Sequence, residues 1–137
     1  MVDVSEYVLR PVGRVESALT DPAQAPKQAD EGAPEAWLAL DEQYAPALEG
    51  LRAGMDVVLL TWLDRADRGT LQVHPRGDTA RPVAGVFATR APGRPNPIGL
   101  HVVRILAVSG TRIHVQNLEA LDGTPVLDVK PVLTQDR

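Results

Sequence analysis

The densest chemistry in this chain lies in residues 90–97, which read Arg-Ala-Pro-Gly-Arg-Pro-Asn-Pro. A proline ring holds its own φ near about −65° and constrains the residue before it. Pro92, Pro95 and Pro97 therefore leave this loop few conformations, and Arg90, Arg94 and Asn96 are held in near-fixed directions. A guanidinium presents a planar pair of donors to a carboxylate or phosphate. A carboxamide both donates and accepts, which suits it to a base edge or another amide. A loop ordered before its ligand arrives binds at lower entropic cost. A purely structural loop would have no need of two arginines and an asparagine between its prolines.

Other chemistry is sparser. Glu119 and Asp122 stand three residues apart and form a candidate carboxylate pair, although Asp122-Gly123 is also a common hairpin turn signal. His101 and His114 fall on successive strands and are expected to approach each other across a hairpin, in packing or hydrogen-bonding roles rather than catalytic ones. Trp37 and Trp62 are expected in a core or an interface. The chain has no cysteine, which excludes disulfides and thiolate chemistry. Its three histidines are scattered with no metal-ligand spacing, so no metal is expected. Gly-x-Gly-x-x-Gly, the P-loop and the Gly-x-Ser-x-Gly elbow are all missing, so dinucleotide-fold, P-loop and serine-hydrolase chemistry are not expected.

Charge is segregated within a net −4. Residues 1–64 hold 12 acids against 4 bases, and residues 65–104 hold seven arginines against Asp67 and Asp78. The acidic total argues against wrapping long nucleic acid, and no DNA partner is expected. The arginine block still permits a phosphate-bearing ligand or one structured RNA site, or else a merely solvated face. No basic segment followed by an apolar run opens the sequence, and the longest apolar run is too short to span a membrane. A soluble, cytoplasmic protein with no membrane partner is the expectation.

The elements that must position these groups are short and mostly β. Residues 8–16 read as an opening strand with Pro11 at an edge or bulge. Residues 36–40 read as a short strand, and residues 42–51 as a short helix limited by Pro46. Residues 55–63 are a near-continuous apolar run, expected to be a strand buried on both faces. Residues 70–74 and 83–89 follow as strands. In residues 98–108, Ile98, Leu100, Val102, Leu106 and Val108 share one face. Ser109-Gly110 turns the chain into a strand at 111–118, and the Asp122-Gly123 turn precedes a last strand at 125–129. About seven strands with one short helix and long loops imply a mainly β fold, in which closure into a barrel removes exposed edges. With 137 residues, 44% of them hydrophobic, one domain over 1–137 is expected.

Three segments together resemble the TrmO (TsaA-like) family: Gly85-Val-Phe-Ala-Thr-Arg90, Arg94-Pro-Asn-Pro-Ile-Gly99 and Leu121-Asp-Gly-Thr-Pro-Val-Leu-Asp-Val-Lys-Pro131. The resemblance runs from about residue 8 to residue 133. It implies an S-adenosylmethionine-dependent methyltransferase acting on N6 of threonylcarbamoyladenosine, the modified base beside the anticodon of tRNA. It also implies a small closed or nearly closed mixed β-barrel, and a homodimer whose cofactor pocket lies near the subunit interface. By match to the family's motifs, Gln28, Asp64, Arg65 and Arg90 contact the cofactor and Leu100 packs on it. Asn117, Leu118, Glu119 and Asp122 close the pocket.

On this reading Asp122 is the candidate base for the N6 proton, and Asn96 holds the carbamoyl group or base edge. Arg76, Arg81 and Arg94 contact RNA phosphate. Two alternatives stay open: a cofactor-binding domain acting on another small substrate, and a nucleoside-binding module without transferase activity.

Overall fold

The computed structural model describes residues 5–21 and 34–133. Eight strands are present among them: β1 (Gly13–Glu16), β2 (Ala36–Leu40), β3 (Asp56–Trp62), β4 (Gln72–Val73), β5 (Ala84–Gly85), β6 (Ile98–Ser109), β7 (Arg112–Gln116) and β8 (Pro125–Pro131). Six of them close into a barrel in the order β1-β2-β7-β6-β3-β8, and β4 pairs with β5 outside it. Every barrel pairing is antiparallel, where the family resemblance implies a mixed barrel. The barrel is closed, so its six strands leave no open edge.

Strand alternation fills the lumen. Val57, Leu59 and Thr61 of β3 point inward, as do Gly99, His101, Val103 and Ile105 of β6, and all are buried. The core adds Val15, Leu38, Ile113, Val115 and Val126 from the remaining walls. Closure is tight at Gly13, where a Cβ would lie 2.4 Å from the Ala39 carbonyl oxygen.

Several expectations are corrected. Residues 8–12 are not strand; β1 begins after Pro11, which has no N–H for the ladder. β3 is not buried on both faces, because a barrel wall has one inner face; its outer residues Val58, Leu60 and Trp62 are only half-buried. The helix after β2 is a 3₁₀ helix, Glu42–Leu48, with Asp41 at its N-cap and Pro46 inside it. Residues 83–89 supply only the two-residue β5, then a 3₁₀ turn over Val86–Ala88. Ile98, Leu100 and Val102 do share a face, but it is the outer one. A register shift between Ile105 and Ala107 interrupts the alternation before Val108.

The register sets the two ends of the barrel. β1 and β3 end, and β2, β6 and β8 begin, at one mouth, where Glu16 pairs with Trp37 and Trp62 with Ile98. β7 also ends there, with Val115 opposite Ala36. The loops after β1, β3 and β7, and residues 86–97 before β6, all emerge at this mouth. The 3₁₀ helix Glu42–Leu48 covers the other end, and Leu48 joins the core. No helix among the described residues is long and apolar enough to cross a membrane.

Candidate functional site

The loop before β6 is rigid, and its arginines help to make it so. Arg94 Nη1 donates to the carbonyls of Thr89 at 3.0 Å and Ala91 at 2.9 Å, and Nη2 donates to Val86 at 2.8 Å. These carbonyls belong to the turn over Val86–Ala88 and the residues just after it. The Arg94 amide donates to Asp67 O at 2.9 Å, fastening the loop to the segment after β3. From that segment Arg68 reaches back: Nε donates to Pro95 O at 2.7 Å and Nη2 to Asn96 Oδ1 at 3.0 Å. The Arg68 guanidinium also lies 5.2 Å from the Trp62 ring centroid, a cation–π contact. The premise that a structural loop would not need such residues is therefore corrected. Arg94 and Asn96 both hold the loop together, while Arg90 is exposed.

The segment that receives the loop is ordered by Asp67. Its carboxylate accepts from Gly69 N at 2.9 Å and from Thr70 Oγ1 at 2.9 Å. The Gly69 bond first, then the Thr70 bond, hold the Asp67 carboxyl below the ordinary aspartate range. Gly93 passes close by, and a Cβ on it would meet Thr70 Oγ1 at 3.1 Å.

Beneath the mouth the lumen turns polar. His101 Nδ1 lies 2.5 Å from Glu119 Oε1, and His101 Nε2 lies 2.8 Å from Thr61 Oγ1. Glu119 Oε2 is buried with no hydrogen-bond partner among the described residues. Glu119 belongs to the β7–β8 loop, which opens at Asn117 with φ of 65°. Asparagine tolerates that left-handed backbone better than most residues. Leu118 is buried, and its amide donates to Pro34 O at 3.1 Å. Asp122 takes a separate course: it is exposed, and its Oδ1 accepts from Ser17 N at 3.0 Å. A hollow of about 490 Å³ beside β1 and β2 is lined in part by Asp122 and Gly123.

The structure thus gathers most of the residues singled out from the sequence around one mouth. Asp64 and Arg65 follow β3, Arg90 and Asn96 lie in the loop before β6, and Asn117, Leu118, Glu119 and Asp122 lie in the β7–β8 loop. Leu100 sits on the outer wall just below, 44% exposed. Gln28 lies outside the described residues. Arg76 and Arg81 stand in the excursion between β4 and β5, exposed, with Arg81 Nε 3.7 Å from Asp78 Oδ2. His101 and His114 do not meet: His101 points into the lumen, whereas His114 stacks on Trp37 on the outer wall, ring centroids 4.6 Å apart. Arg112 covers the Trp37 ring at 4.6 Å. Thr61, Arg68 and the interior role of His101 escaped sequence reasoning. The visible hint was a threonine, a glycine and a histidine at positions where the strand period calls for apolar side chains. An apolar hollow of about 360 Å³, lined by Leu40, Tyr44, Leu48 and Met55, lies at the opposite end and touches none of these residues.

A closed antiparallel barrel with its polar loops collected at one mouth defines the chain as a small β-barrel domain. Residues 14–136 match the family described as the tRNA-methyltransferase O N-terminal domain, and the chain belongs to that family. A protein of Archaeoglobus fulgidus named S-adenosyl-L-methionine-binding protein is 42% identical over 123 residues, covering 90% of this chain and 87% of the relative. A protein of Methanothermobacter thermautotrophicus, named as a probable one, is also 42% identical, over 126 residues and 92% and 90% of the two chains. The crystal structure of TrmO from Pseudomonas aeruginosa superposes with a TM-score of 0.77 at 33% identity, over 97% of this chain. This chain spans 57% of the length of that TrmO chain.

Proposed function

We propose that this chain binds S-adenosylmethionine at the loop mouth of its barrel and methylates N6 of threonylcarbamoyladenosine beside the anticodon of tRNA, acting as a homodimer. The observation that carries the reading is the convergence of Asp64, Arg65, Arg90, Asn117 and Glu119 on one mouth in a chain of the TrmO family. The groups present fit the cofactor's chemistry. Arg65 and Arg90 suit its carboxylate, and Glu119 Oε2, buried without a partner among the described residues, suits a hydroxyl or ammonium donor. Leu100 suits the face of an adenine ring. S-adenosylmethionine supplies an electrophilic methyl group when bound.

The chain's own residues do the rest. Alignment of the reacting atoms supplies several of the roughly 7–11 kcal/mol that proximity can contribute. Asp122 accepts the N6 proton, which is acidified by the neighbouring carbonyl; its Oδ1 is already oriented by Ser17 N. Asn96, held by Arg68, presents its amide to the base or carbamoyl group. Arg76 and Arg81 supply phosphate contacts, and Arg94 serves by holding the loop.

Dimerisation is supported by the outer wall. Ile98, Leu100 and Val102 are 44%, 44% and 54% exposed and pair in register with Trp62, Leu60 and Val58. That apolar stripe continues to Leu100, so a second copy seated on it would complete the cofactor site.

Calorimetry with S-adenosylmethionine tests binding, and methyl transfer to modified tRNA tests catalysis. Arg90→Ala is expected to weaken binding about tenfold, the equivalent of one charged hydrogen bond. Unchanged transfer by both Arg90→Ala and Asn96→Ala would remove the loop from the site. A second reading, a cofactor-binding domain without tRNA activity, is favoured by the relatives' names and by the length this chain spans of the Pseudomonas aeruginosa TrmO. Mass spectrometry of tRNA from cells lacking the protein decides between the two.

A further inference from the structure

We propose that His101, bonded on one side to Thr61 and on the other to Glu119, is a positioning residue that sets the β7–β8 loop for cofactor binding. The inference rests on the proposed cofactor reading. It begins from placement: among the described residues the fully polar buried side chains are Thr61, His101 and Thr124, and all three lie toward the loop mouth. The same two walls are otherwise lined by Val57, Leu59, Val103 and Ile105.

Burying an imidazole against a carboxyl group is a poor way to gain stability, because well-packed apolar residues of similar volume do as well or better. Such a chain does gain direction. The Glu119 carboxylate accepts from His101 Nδ1–H, so in the neutral ring Nε2 accepts from the Thr61 hydroxyl. One tautomer and one ring orientation satisfy both neighbours. The ring is therefore fixed, and through it the carboxyl group of Glu119.

Glu119 sits between two buried residues, Leu118 and Ala120, two positions after the left-handed Asn117. Its side chain pins a segment whose backbone begins in an uncommon conformation. With Oε1 on His101, Oε2 has no partner among the described residues and can accept from a ligand donor.

Gly99 gives a second, independent sign that this arrangement is built in. A Cβ there would lie 2.4 Å from Thr61 Oγ1 and 2.8 Å from His101 Nε2. The glycine of the Asn96–Gly99 stretch is thus the space that the Thr61–His101 bond occupies, and it links the rigid loop to the lumen chain.

The test measures S-adenosylmethionine affinity and thermal midpoint of the full chain for Thr61→Val, His101→Leu and His101→Gln. Thr61→Val is nearly isosteric and keeps an inward wall residue, so it remains informative should His101→Leu fail to fold. Affinity is expected to fall about tenfold in Thr61→Val and His101→Leu, the loss of one aligned hydrogen bond. His101→Gln, whose amide can both donate and accept, is expected to recover most of it. In the ligand-free chain, amide exchange at Leu118 and Ala120 is expected to quicken in His101→Leu while Leu59 keeps its protection. Wild-type affinity in both Thr61→Val and His101→Leu, with only the midpoint lowered, overturns the positioning role. A wild-type chain that binds no S-adenosylmethionine overturns the cofactor reading itself, a separately recognisable result.

Discussion

Arg94 Nη2 donates to the carbonyl of Val86 across eight residues at 2.8 Å, and this bond closes the loop that the prolines only stiffen. Two further carbonyls, of Thr89 and Ala91, accept from the same guanidinium. Arg94→Ala removes this donor from the carbonyls of Thr89 and Ala91, while Val86 O keeps the Thr89 amide and hydroxyl, at an expected cost of about 2–4 kcal/mol. Arg94→Lys is expected to recover less than half of the loss, since a single ammonium cannot reach three carbonyls in the guanidinium's plane. Urea unfolding midpoints of the three proteins check this; an Arg94→Ala protein as stable as the parent would show the bonds to be incidental.

Barrel closure depends on another close approach, between Gly13 and the Ala39 carbonyl at the β1–β2 pairing. A Cβ on Gly13 would meet that oxygen at 2.4 Å and Leu40 Cα at 2.8 Å, both backbone atoms that cannot swing aside. Gly13→Ala is expected to destabilise the fold by about 1–3 kcal/mol, as overpacking does. At Gly85, where an added Cβ meets nothing within 4 Å, the same change is expected to be near neutral. Thermal unfolding of the two alanine variants measures the contrast.

Sequence pattern alone located β3, β6, β7 and β8 within a residue or two, because alternation and the Ser109-Gly110 and Asp122-Gly123 turns are local signals. Gly110 and Gly123 indeed take positive φ, at 60° and 83°. The inner face of β6 was not legible. Ile98, Leu100 and Val102 look like core by hydropathy, whereas Gly99 and His101, which do face the lumen, do not. Their placement depends on Thr61 and Glu119, far away in the chain. Likewise nothing near residue 94 says that Arg94 will turn back onto Val86, nor that Arg68 will hold Asn96 from 28 positions upstream. Strand order brings Asp64, Arg90 and Glu119 to one mouth, but their partners were not legible, because those are set by tertiary closure.

Acid should loosen the Asp67 turn. Its hydrogen bonds to Gly69 N and Thr70 Oγ1 lower the carboxyl's pKa in the folded chain. The stabilisation is therefore fully present above the ordinary aspartate value and lost as pH falls through the lowered folded value. Between neutral pH and the ordinary aspartate value Asp67 contributes no pH dependence. Wild type is expected to exceed Asp67→Asn in stability at neutral pH, and the difference to vanish only in strong acid. Because Asp67 is exposed, the effect is small and salt-sensitive. Carboxyl NMR titration of Asp67, with unfolding of both proteins across the acid range, checks the sign; a gap that widens toward acid would contradict it.

The outer wall of β3 and β6 makes the strongest demand on assembly. Val102 is 54% exposed opposite Val58, and above it Leu100 and Ile98 continue the stripe opposite Leu60 and Trp62. Its borders are polar: Asp128 and Lys130 of β8 lie across β3, and the Arg104–Asp56 pair, 2.9 Å apart, lies below. An apolar centre with a charged rim is the anatomy of a protein interface. Val102→Glu puts a carboxylate at that centre without touching the lumen, so each chain keeps its fold while association weakens by two or more orders of magnitude, as expected for about 1.5 kcal/mol of uncompensated desolvation in each copy. Sedimentation equilibrium is expected to give a dimer for wild type and a monomer for Val102→Glu. On the proposed dimer reading, the monomer is expected to lose S-adenosylmethionine binding, because Leu100 then faces water. A dimeric Val102→Glu protein would place the contact elsewhere, and a monomeric wild type that still binds the cofactor would make the barrel mouth of one chain sufficient.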